Sequence, residues 1–100
     1  MLSACEAPSE KRALVVDEWP HMVRLLEVHL QRAGYQVLAA REDETAFRMA
    51  KRERPDVVVM FHRWELLISL LEEDPITSHI PVVVVSASDL RTFVFDGRVD

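Results

Sequence analysis

"PDVVVMFHRWELL", residues 55–67, decides how this chain is read. The apolar run that closes on Phe61 follows Pro55 and Asp56, and its β-branched content suits a strand buried on both faces. After only His62 and Arg63 a helical pattern begins, so strand passes into helix with almost no loop. In an α/β domain the carboxyl end of such a strand is where ligands bind, and a polar side chain is usually delivered there. Here the residue delivered is Phe61.

Working outward, "WELLISLLEED" (64–74) has helical spacing, with Trp64, Leu67, Leu70 and Leu71 expected inward. "IPVVVVSAS" (80–88) reads as the next strand. Upstream, "EDETAFRMAKRER" (42–54) carries acids in its first turn and bases in its last, matching the helix macrodipole, and Pro55 closes it. "YQVLAA" (35–40) is half polar, as an edge strand often is. "RALVVD" (12–17) is a central strand ending in acids. A helix begins at Pro20, recurs through Val23, Leu26, Leu30 and Ala33, and stops at Gly34. Strands alternating with helices predict βαβ units, right-handed crossovers and a parallel sheet.

Composition bounds the rest. One hundred residues, 49% of them hydrophobic, make one small domain. The formal charge is −5, and no basic cluster follows a phosphate backbone, which argues against direct nucleic-acid binding. The single cysteine, Cys5, fits a reducing compartment, with the cytoplasm as the default. The start, "MLSACEAPSEKR", has neither a basic n-region nor an apolar h-region, so no signal peptide or membrane segment is expected there. The expected organisation is a tail over 1–11, a domain over 12–90 and a C-terminal segment over 91–100.

"LVVDE", "LQRAGYQVLAA", "RPDVVVMF" and "ELLISLLEEDPITSHIPVVVVSAS" stand in an order and spacing that resemble the receiver domain of bacterial two-component response regulators, chemotaxis-regulator-like but degenerate and shortened. The resemblance covers roughly residues 12–88. It implies a flavodoxin-like α/β/α fold in three layers, with a parallel sheet of order 2-1-3-4, lacking the family's last helices. In that family an aspartate closing the third strand takes a phosphoryl group, and acids after the first strand hold Mg²⁺. Residue by residue, Asp17 and Glu18 take the places of the acidic pair, Ser86 that of the hydroxyl residue that follows the phosphoryl group, and Phe61 that of the acceptor. A phenyl ring has no nucleophile, so conventional phosphoryl transfer is not expected. The loop "HR" (62–63) is shorter than the family's, and no residue matches the family's lysine on its fifth strand.

Each of these residues also has a plainer reading. Asp17 can cap the first helix with Glu18 in its first turn. Two carboxylates are few for a hard cation, so Asp17 and Glu18 are weak candidates for Mg²⁺, and no other cofactor is expected. Ser86 can be an ordinary strand-end hydroxyl. His21, His29, His62 and His79 show no metal-ligand spacing, and Trp64 reads as a core anchor. Phe61 is either packing filler or part of a contact surface. Asp56 is excluded as a substitute acceptor, because it starts the third strand, some 16 Å from the pocket end.

With only the first helix expected on one face, an apolar patch should remain over the third and fourth strands. "TFVF" (92–95) follows the fourth strand too closely for a parallel crossover, and is either an antiparallel edge strand or a tail. The expected function is therefore non-enzymatic: a receiver-like domain in phosphorelay signalling that is not phosphorylated and binds a protein. That partner would be a sensor kinase, a response regulator or a second copy, joined by strand addition or as a C2 dimer. Two alternatives remain, a receiver that takes a phosphoryl group at a non-standard residue and a non-functional fragment of a longer response regulator.

Overall fold

Four strands and three helices alternate along residues 11–85, the part of the chain that the structure, a computed structural model, describes. They are β1 (Lys11–Val16), α1 (Pro20–Arg32), β2 (Tyr35–Ala40), α2 (Asp43–Glu53), β3 (Val57–Phe61), α3 (Glu65–Glu73) and β4 (Val82–Val85). The strands form one parallel sheet in the order β2-β1-β3-β4, so β2 takes the edge expected of it.

The alternation of side chains along a strand sorts the core into two layers. Ala13 and Val15 of β1, with Val57, Val59 and Phe61 of β3, pack with Val23, Leu26 and Leu30 of α1. Leu14, Val16, Val58 and Met60 point the other way, onto Ala46 and Ala50 of α2 and Leu67, Ile68 and Leu71 of α3. This is the three-layer α/β/α arrangement. β3 is buried along its whole length, as its unbroken apolar run requires.

Helix ends follow local chemistry. Pro20 opens α1, where its missing N–H costs nothing. Gly34 ends it at φ +97°, a conformation that only glycine adopts freely, and its N–H donates to the Gln31 carbonyl at 3.0 Å. After α3, Asp74 accepts the Ile76 N–H on its side chain at 2.8 Å. The buried Thr77 hydroxyl donates to the Leu71 carbonyl at 2.7 Å, which satisfies one acceptor left over at the helix end.

The amino end of the sheet is tied by polar contacts. Arg12 and Asp56 exchange two hydrogen bonds of 2.8 Å, Arg12 N–H to the Asp56 carboxylate and Asp56 N–H to the Arg12 carbonyl. The Arg12 guanidinium also donates to the Glu53 carboxylate at 3.0 Å and to the Glu53 carbonyl. Asp56 is therefore occupied at the end of the sheet opposite Phe61.

Several expectations need correction. Lys11, assigned to the tail, is the first residue of β1, and Asp17 lies one residue beyond that strand. Ala33 is exposed, because α1 has already ended at Arg32. In α3 the third buried position is Ile68 rather than Leu70, and Trp64 precedes the helix, packed partly buried against the core. The apolar patch does not extend over β3; only β4 is left half-buried, at Val82, Val83 and Val84. The readings placed on residues 1–10, on Ser86 and the end of the fourth strand, on "TFVF" (92–95) and on the segment 91–100 lie outside the described residues.

Candidate functional site

The carboxyl ends of β1 and β3 are adjacent. Val16 pairs with Met60, so the next residues, Asp17 and Phe61, stand side by side. Asp17 continues the inner parity of Ala13 and Val15, and its N–H donates to the Ala40 carbonyl at 3.2 Å. The side chain is 2% exposed. Burial pushes the Asp17 carboxyl above its ordinary range, an effect opposed by the Trp19 and Glu18 amides directed at it and by nearby His62.

Asp17 does not cap α1 in the expected way. The N-cap position belongs to Trp19, with no side-chain bond to the helix and no acid in its first turn. The Asp17 carboxylate instead accepts the Trp19 N–H at 3.3 Å, in the turn that enters the helix. Glu18 faces outward and accepts the Trp19 indole N–H at 2.8 Å, while Arg41 donates to the Glu18 carbonyl at 3.4 Å. The two carboxylates thus serve different neighbours.

Phe61 is 8% exposed and packs with the α1 layer, and it also lines the cleft beside Asp17. Its ring meets that of His62 edge-on, with centroids 4.4 Å apart. His62 adopts φ 77° and donates its N–H to the Val85 carbonyl at 3.1 Å. A left-handed non-glycine residue at a strand end is a point of backbone strain, of the kind that collects beside binding sites. The short "HR" connection forces it, since β3 must turn into α3 within a few residues.

Asp17, Trp19, His21, Met22, Phe61 and His62 line an open cleft of about 200 Å³. The sequence reading singled out Asp17 and Phe61 for this place and set His62 aside as a loop histidine. It passed over Trp19 and Met22. A signal is present for Met22, which stands four residues before Leu26 on the face of α1 that meets the sheet, whereas the exposed Trp19 precedes the helix.

The donor set fits Mg²⁺ poorly. A hard cation needs several converging oxygens, whereas among the described residues Asp17 is the one carboxylate on the cleft wall and Glu18 is engaged by the indole. Among the described residues no three His, Cys, Asp or Glu side chains stand together as a metal site.

No protein-family model matches the chain. Protein PilH of Pseudomonas aeruginosa is 35% identical over 86 residues, spanning 81% of this chain and 71% of PilH. The chain belongs to the receiver domains of response regulators. Response regulator PleD of Caulobacter vibrioides is 41% identical over 85 residues, which cover 80% of this receiver domain but only 19% of PleD. Among solved structures, a putative response regulator from Chloroflexus aurantiacus superposes with TM-score 0.77 at 17% identity, covering 89% of this receiver and 95% of that chain. The N-terminal domain of a response regulator receiver protein from Methanoculleus marisnigri gives 0.69 at 24%, over 85% and 77%. These likenesses match the receiver fold, with its parallel sheet of order 2-1-3-4. No helix among the described residues is long and apolar enough to cross a membrane.

Proposed function

We propose that this receiver domain works in two-component signalling without being phosphorylated, as a cytoplasmic protein-interaction module. The observation that carries the reading is Phe61. It closes β3 beside Asp17, on the wall of the cleft, where the family's resemblance puts the phosphoryl acceptor, and it offers a hydrocarbon ring in place of a nucleophile. Among the described residues the cleft's donor set, one carboxylate with two aromatic rings and two imidazoles, gives little to neutralise a transferred phosphoryl group, a reaction that depends on positioned charge.

With no phosphoryl group to switch it, such a domain acts by occupancy. Its partner is a sensor kinase, a response regulator or a second copy of the chain. β4 is the last strand of the sheet among the described residues and is half-buried, which leaves both a hydrogen-bonding edge and apolar area for a partner. Size-exclusion chromatography with light scattering, across a concentration series with and without acetyl phosphate and Mg²⁺, tests this. The mass distribution should be the same with and without the phosphodonor. A shift in oligomeric state that needs the phosphodonor would overturn the reading.

A further inference from the structure

Asp17 is a nearly buried carboxylate with no lysine or arginine against it among the described residues, and the one basic side chain that favours its ionised form is His62. Among the described residues the donors that reach it are backbone amides, and the ion pairs all lie elsewhere: Arg12 with Glu53, Lys51 with Asp74, Arg52 with Glu53, Arg63 with Glu65. Arg41 donates to the Glu18 carbonyl and does not line the cleft. A carboxylate withdrawn from water and matched by no lysine or arginine favours a positively charged ligand.

The walls around it narrow what that charge can be. Trp19 brings an exposed aromatic ring, whose face attracts cations, nearly buried Phe61 adds apolar wall, and Met22 brings a soft thioether. Trp19 is 54% exposed, with its indole N–H fixed on Glu18, so the ring is held open to solvent in a set orientation. A hard divalent ion lacks oxygens here. A guanidinium binds best across both carboxylate oxygens, one of which already accepts the Trp19 amide. At about 200 Å³ the cleft is also smaller than the usual small-molecule site of roughly 300–1,000 Å³, and suits a side-chain head.

We propose that the cleft between the carboxyl ends of β1 and β3 binds an alkylammonium group, with its charge against Asp17 and its carbons against Trp19, Met22 and Phe61. This deepens the interaction-module reading and rests on it, because the group is then the head of a partner's lysine side chain. A free amine carries the same chemistry.

The test is a titration of the full 100-residue chain, followed by ¹H–¹⁵N spectra. n-Butylammonium chloride should shift the Trp19 indole and His62 amide signals saturably, and n-butanol, the uncharged match, should bind roughly tenfold more weakly. Asp17→Asn should abolish the response. Trp19→Ala, at an exposed position where folding is not at stake, should weaken it roughly tenfold. Equal shifts with butanol, the same signals moving at lower concentrations of MgCl₂, or binding unchanged by Trp19→Ala would overturn the proposal. Nα-acetyl-lysine methylamide separates the sources: tighter binding than butylammonium assigns the site to a protein lysine, and weaker binding to a free amine. A chain that binds butylammonium yet gains a phosphoryl group would refute only the dead-acceptor reading, so the two failures are distinguishable.

Discussion

Asp17 and Phe61 set the character of the site through their environments. Because burial holds the Asp17 carboxyl above its ordinary value of 3.8, the folded chain keeps that proton at pH values where the unfolded chain has lost it. The unfolding free energy from this group therefore falls as pH rises from about 3.8 through the folded-state value, and stays lower above it. Asp17→Asn removes the penalty. In urea unfolding it should show a higher midpoint than the parent chain near neutral pH, with the gap closing below the ordinary carboxyl value. A lower midpoint near neutral pH would mean that the charge is compensated within the chain. Asp74 has the opposite slope. Its carboxyl is lowered, first by the Ile76 amide and then by Lys51, so its contribution is present above its ordinary value and lost as pH falls through the folded one. The roles expected of Asp17 and Phe61 came from the resemblance, but their adjacency follows from β1 and β3 being neighbours in register. Glu18 was harder to foresee. Nothing in an acidic pair announces that its second member will turn outward to an indole on the next residue.

The elements were legible where period and punctuation agree. β3 declared itself by an apolar run too short for a helix, α2 by its charge gradient, and α1 by Pro20 and Gly34. Errors of one residue arose at ends such as Asp17 and Ala33, where hydrogen bonding rather than pattern decides, and within α3. There the stripe runs through Leu67, Ile68 and Leu71, since Leu70 sits at the rim of the buried face. That stripe predicts a contrast between neighbours. Leu67→Ala should cost about 2–5 kcal/mol in denaturant unfolding, whereas Leu66→Ala, at a position 61% exposed, should stay within roughly 0.5 kcal/mol of the parent. Equal losses would mean that the helix is rotated from its described face. A second prediction concerns the end of α2, where Arg54 holds φ 50° and ψ 62° before Pro55. The side chain is exposed and the left-handed cap favours glycine, so Arg54→Gly should raise stability by about 0.5–1 kcal/mol, read as a shift in urea midpoint. A loss of that size would show the arginine side chain to matter more than the backbone strain.

At the scale of the molecule, one face of the sheet carries α1 and the other carries α2 and α3, and the carboxyl ends of the strands meet in an open cleft. That layering was readable from alternation alone, because a parallel sheet whose strands are apolar on both sides must be covered on both. The half-buried state of β4 was anticipated in kind, but its extent was not. The expected bare area over β3 is absent, because the burial of a strand depends on everything packed around it and not on its own pattern. The cleft was the least legible feature. Its walls come from the turn before α1, the first turn of that helix, and the end of β3 with the residue after it, which a strand-by-strand reading treats separately. The central claim, a receiver fold whose acceptor position is chemically silent, is tested most directly by intact-mass spectrometry after incubation with acetyl phosphate and Mg²⁺. The account predicts no phosphorylated species at any time point, under conditions where an ordinary receiver domain is labelled. A phosphoryl mass gain, above all one that disappears in Asp17→Ala, would contradict it.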